Sequence, residues 1–140
     1  MRLRGRHPET LALIAVLAQL SVRALVGGAA LIAAPSGRIV GLSPAALGRT
    51  PFGDYLVPGI VLFAIFGVGS GAVCYGLYAG RERAPAAAAA VGLALLGWLA
   101  VEALAGFDRP TLWLNLATAV AAVALATRPA VRGDDRGAPP

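Results

Sequence analysis

The chain is predicted to be an all-α polytopic membrane protein: four transmembrane helices in an up-and-down bundle, both termini in the cytoplasm, and an ordered outer loop between helices 1 and 2. Three observations predict this: an apolar composition, four long uninterrupted apolar runs, and arginines gathered at the ends of those runs. Of 140 residues, 58% are hydrophobic and 14% charged, and the mean hydropathy is +0.74. A soluble domain carries roughly 25% charged and about 45–50% apolar residues. The composition therefore excludes a disordered chain and an ordinary water-soluble enzyme, and the length suits one domain. Cys74 is the single cysteine and His7 the single histidine, so the sequence holds neither an internal disulfide nor a Cys/His metal cluster.

A helix rises 1.5 Å per residue, so a span of about 30 Å needs about 20 apolar residues. Four stretches qualify: 11–34, 55–80, 84–107 and 111–127. They are flanked by a basic tail (1–10) and a C-terminal tail expected to be disordered (128–140). Long continuous runs favour helices over barrel strands, which alternate. Arg2, Arg4 and Arg6 before the first run resemble the start of a signal peptide. The run outlasts a signal core of about 7–15 residues, and Arg23 interrupts it, so a retained helix is expected.

The long connection, 35–54, is expected to be ordered. Ser43-Pro44 has the form of an N-cap followed by proline at the first helical position, and Gly48 would close the short turn. Ile39, Leu42, Leu47 and Phe52 would hold it over the mouth of the bundle.

All twelve basic residues are arginine. Arg2, Arg4, Arg6, Arg81, Arg83, Arg128, Arg132 and Arg136 fall on one side of a four-span protein, and Arg38, Arg49 and Arg109 on the other. Eight against three places both termini inside. Tyr55 and Trp113 are expected near the outer boundary and Tyr78 near the inner one. The net charge of +5 is thus a topology signal, and no nucleic-acid partner is expected.

Helices in hydrocarbon associate by close backbone approach. Gly67 with Gly71, Gly76 with Gly80, and Ala117 with Ala121 provide that spacing, as does the small-residue start of the third span, Pro85 to Ala90. Packing within the chain is the expected use.

An ionised side chain inside a membrane normally faces other helices and has a partner. Arg23 and Glu102 are the two candidates. Glu102 and Asn115 are expected at about 6 Å below the outer ends of their helices, and Arg23 about 16 Å below Ala34 with a stem long enough to rise. Gln19 shares the Arg23 face at i−4, Trp98 that of Glu102, and Thr111, Asn115 and Thr118 form a polar stripe. Arg23, Glu102 and Asn115 are expected to meet in the outer half of the bundle, with Gln19 beside them and Asp54 and Tyr55 above. The meeting is read either as a buried ion pair that fixes packing or as a polar pocket open to the outside.

The run Pro35-Ser36-Gly37, then Gly41-Leu42, then Thr50-Pro51-Phe52-Gly53-Asp54-Tyr55-Leu56-Val57-Pro58-Gly59 resembles a pattern in a family of small bacterial four-helix integral membrane proteins. The likeness extends to Gly97-Trp98-Leu99-Ala100-Val101-Glu102 and excludes both tails. It implies the four-helix fold in a bacterial cytoplasmic membrane and carries no activity with it. An arginine-only, alanine-rich composition agrees with a bacterial source of high GC content.

Serine–histidine arrangements, HExxH, CxxC and phosphate loops do not occur in the sequence, so neither catalysis nor a cofactor is expected. A non-catalytic accessory or scaffolding subunit is the leading expectation. Its partners would be the lipid bilayer and other membrane proteins or further copies of the chain. The alternatives are a small oligomeric transporter or channel, and a lipid- or small-ligand-binding protein using the outer pocket. Length and helix count are similar to small multidrug resistance transporters. Those place an essential carboxylate in the first helix, where this chain has Arg23.

Overall fold

A computed structural model describes residues 7–39, 53–104, 110–129 and 131. Among these, the chain is all-helical, with four helices: α1 (Pro8–Ala33), α2 (Leu56–Tyr78), α3 (Ala84–Leu104) and α4 (Pro110–Ala126). The first three are long and apolar enough to cross a membrane. Expectations for the 43–48 turn, for Leu42, Leu47 and Phe52, for tail residues 1–6 and 132–140, and for Arg49 and Arg109 lie outside the described residues.

Proline stands in the first turn of every helix: Pro8, Pro58, Pro85 and Pro110. There its missing N–H costs nothing, since the first four N–H groups of a helix have no intrahelical acceptor. Helix α1 starts three residues before the predicted boundary. Pro8 occupies the first helical position, and the His7 Nδ1 accepts a 3.2 Å hydrogen bond from the Glu9 N–H. Apolarity marks the membrane-like run and not the helix, whose first turn, Pro8, Glu9 and Thr10, is polar.

Helix α2 ends on Gly80, at φ 73°, a left-handed position that suits glycine. The Arg81 N–H reaches the Gly76 carbonyl at 2.8 Å, and the Gly80 N–H reaches the Leu77 carbonyl at 3.2 Å. These two bonds form a Schellman motif. The predicted Gly76/Gly80 pair therefore splits in use. Gly80 is a helix cap, while Gly76 lets the start of α3 approach, since a Cβ there would stand 3.3 Å from that of Ala84.

The middle of α2, Leu62–Gly69, is π-helical, where a uniform helix was expected. A π turn holds an extra residue and loosens the backbone ladder. The Gly67 carbonyl accepts from the Ser70 N–H and, at 2.7 Å, from the Ser21 hydroxyl of α1.

Neighbouring helices run antiparallel. Between α1 and α2, Gly28 lies against Gly59 and Phe63, Leu25 against Gly67, and the Cys74 thiol against the Ile14 carbonyl at 3.5 Å. A Cβ on Gly28 would stand 2.7 Å from the Phe63 nitrogen, so the seam closes to backbone contact. Between α3 and α4, Gly92 faces Ala119, Ala122 and Val123. The exposed Ala117 of the predicted Ala117/Ala121 pair is not the contact; Ala119, Ala122 and Ala126 are buried instead.

Two apolar layers fill the bundle. Leu13, Leu17, Leu77, Ala84, Ala88, Ala122, Ala126 and Val131 close the end holding the chain's first helical residues. Leu20, Ala24, Phe66, Leu95, Leu99 and Ala119 fill the next layer. At the other end, the Tyr55 N–H donates to the Pro35 carbonyl at 2.8 Å, drawing the two ends of the long connection together. Tyr55 is 3% exposed, so its ring packs inward and does not face a membrane boundary. Trp113, at 67%, is an exposed aromatic at that end.

Candidate functional site

Arg23 lies on the face of α1 that meets α4. Its Nε donates to the Gln19 Oε1 at 2.7 Å, one helical turn back. Its Nη1 donates to the Asn115 Oδ1 at 2.6 Å, and its Nη2 to the Thr118 Oγ1 at 3.1 Å. The Gln19 amide nitrogen donates to the Val16 carbonyl at 2.8 Å and to the Thr118 hydroxyl at 3.2 Å. Thr118 itself donates to the Leu114 carbonyl at 2.9 Å. A hydroxyl has one donor and two acceptor sites, so Thr118 is fully used.

Three of the predicted residues, Arg23, Gln19 and Asn115, are thus brought together, and Thr118 joins them from the predicted polar stripe. Thr118 is 5% exposed, while the other three are half-buried. The cluster is therefore anchored at its inner edge and reachable from the surface of the α1–α4 seam.

Glu102 is placed elsewhere. Its Oε1 accepts a 2.8 Å hydrogen bond from the Trp98 indole N–H. The Trp98 ring meets Phe66 of α2 edge-on, with centroids 5.8 Å apart and planes at 69°. That stripe of α3 looks toward α2, whereas Arg23 looks toward α4, with the layer of Leu20, Ala24, Phe66, Leu95, Leu99 and Ala119 filling the bundle centre. Every nitrogen of the Arg23 guanidinium is directed to a neutral oxygen, and none to Glu102.

Asp54 stands at the head of α2, where its Oδ1 accepts from the Leu56 N–H at 3.1 Å. It acts there as a local cap for the helix start. Arg23 packs level with Gly67, reached through Leu25 and Ser21. Asp54 is thirteen residues outward of Gly67, which is about 20 Å of helical rise.

A second polar contact, not foreseen from the sequence, ties the opposite end of the same seam. Arg128 Nε donates to the Glu9 Oε2 at 2.6 Å. The hydrogen bond and the carboxylate charge of Glu9 hold the Arg128 guanidinium above its ordinary pKa. Both partners lie in stretches that the sequence reads as tails, which carry no packing signal between them.

No group of three or more His, Cys, Asp or Glu side chains able to hold a metal occurs among the described residues. No family model matches the chain, and neither a curated protein nor a solved structure does.

Proposed function

We propose that the chain is a four-span protein of a bacterial cytoplasmic membrane with both termini on the cytoplasmic side, and that it serves as a non-catalytic accessory or scaffolding subunit. Three helices have the length and apolarity of spans. At 17 residues, α4 rises about 25 Å, near the short end of what a span requires. The His7 end of α1, the 79–83 turn and Arg128 share one end of the bundle, which gathers Arg81, Arg83 and Arg128 there. The arginine excess makes that end the cytoplasmic one.

The observation that carries the accessory role is the engagement of the interior polar groups. Arg23, Gln19, Asn115 and Thr118 join α1 to α4, and Ser21 joins α1 to the π-helical part of α2. These groups build a rigid bundle, and exposed apolar residues such as Val26, Val68, Leu93 and Val120 leave every helix with a surface for lipid or another helix. Gentle solubilisation from native membranes followed by mass spectrometry tests the role. A protein partner at fixed stoichiometry supports it, and a chain that purifies alone overturns it.

Orientation is tested with an impermeant maleimide on a Cys74→Ala background. Ser36→Cys should label in sealed right-side-out vesicles, and Glu82→Cys only after permeabilisation. The reverse pattern would overturn the topology.

A further inference from the structure

We propose that the Arg23 cluster binds a phosphate group, and that this phosphate belongs to the headgroup of a membrane phospholipid. The inference rests on the membrane-spanning reading above. A guanidinium has five N–H donors, of which the three bonds to Gln19, Asn115 and Thr118 use three. One hydrogen on Nη1 and one on Nη2 are left. These two remain to donate to the oxygens of a phosphate, an anion that guanidinium groups hold through several N–H donors at once. Its three partners are neutral oxygens, so among the described residues no carboxylate pairs with the charge.

The three neutral acceptors fix the guanidinium plane without cancelling its charge, which is what an anion site needs and an internal ion pair would destroy. Depth agrees with a headgroup. Arg23 is ten residues from the outer end of α1, about 15 Å, but its partner Asn115 is five residues from the start of α4, about 8 Å. Because α4 ends lower, the guanidinium reaches the boundary region on the α4 side of the seam. Val26 and Leu114, 67% and 48% exposed, flank the cluster with apolar surface suited to acyl chains.

The test measures binding of dioleoylphosphatidylglycerol to the full chain in dodecylmaltoside by native mass spectrometry, with inorganic phosphate and dioleoylglycerol as separate competitors. One lipid per chain is expected, unmoved by dioleoylglycerol. Arg23→Gln should weaken binding at least tenfold, and Arg23→Lys less, because a point charge lacks the fork. Asn115→Asp is the second variant: its carboxylate would neutralise Arg23 in place, retaining the α1–α4 contact while also weakening binding at least tenfold. Wild-type affinity in both Arg23→Gln and Asn115→Asp would overturn the proposal. Displacement by millimolar inorganic phosphate would overturn the lipid source in favour of free phosphate. Carbonate extraction separates the two readings: a chain that stays in the membrane pellet while its variants bind lipid normally refutes only the site. A chain released by carbonate refutes the spanning itself.

Discussion

The Nη1 of Arg23 donates a 2.6 Å hydrogen bond to the Oδ1 of Asn115, 92 positions later in the chain. That bond makes the first and last helices neighbours and closes the bundle. It predicts an energetic coupling. In a double-mutant cycle of Arg23→Ala with Asn115→Ala, unfolding in mixed detergent should give about 1 kcal/mol of interaction, in the range of membrane interhelical hydrogen bonds.

The same cycle applied to Arg23→Ala and Glu102→Ala should give an interaction near zero, because the two side chains lie on different seams. The double swap Arg23→Glu with Glu102→Arg should leave both single defects uncorrected. Recovery of expression by the swap would show that the two charges meet.

Glycines at closed and open positions should respond in opposite ways. Gly28→Ala drives a Cβ to 2.7 Å from Phe63 backbone, so α1 and α2 must separate at a cost of about 1–3 kcal/mol. Gly97→Ala meets nothing within 4 Å and should stabilise by about 1 kcal/mol through helix propensity. Detergent-induced unfolding monitored by circular dichroism distinguishes them.

Ser21→Ala removes the hydroxyl that bonds the Gly67 carbonyl inside the π-helical stretch. A loss of about 1 kcal/mol is expected. Faster amide exchange should appear at 62–70 and not in α3, and uniform exchange across the bundle would refute a local role for Ser21.

The Glu9–Arg128 contact should be insensitive to alkaline pH. A basic group whose folded pKa is raised contributes stability below its unfolded pKa and loses it only as pH rises through the folded one. For arginine that window lies above ordinary working conditions, so Arg128→Ala and wild type should show the same alkaline profile. A gap that opens below the ordinary arginine range would show that Arg128 feels something other than Glu9.

The helices were legible in the sequence because hydrocarbon imposes a length and a polarity on any segment long enough to cross it. The 84–104 stretch begins where it was expected, and α2 and α4 come within two residues at both ends. Gln19 is legible as a companion of Arg23 through i−4 spacing, and Asn115 through the reach of the long Arg23 stem toward the outer end. The identity of each seam was not. Depth is read along a helix, whereas facing is a rotation about its axis set by close contacts such as Gly28 on Phe63 and Gly92 on Ala119. That rotation turned the Trp98–Glu102 stripe of α3 toward Phe66 of α2, and Arg23 toward Thr118 of α4. The π-helical stretch belongs to the same class, since it exists where the Gly67 carbonyl finds a hydroxyl from another helix. Apolar length and charge placement along the chain determine how many helices form. Packing in three dimensions alone decides which polar side chains meet.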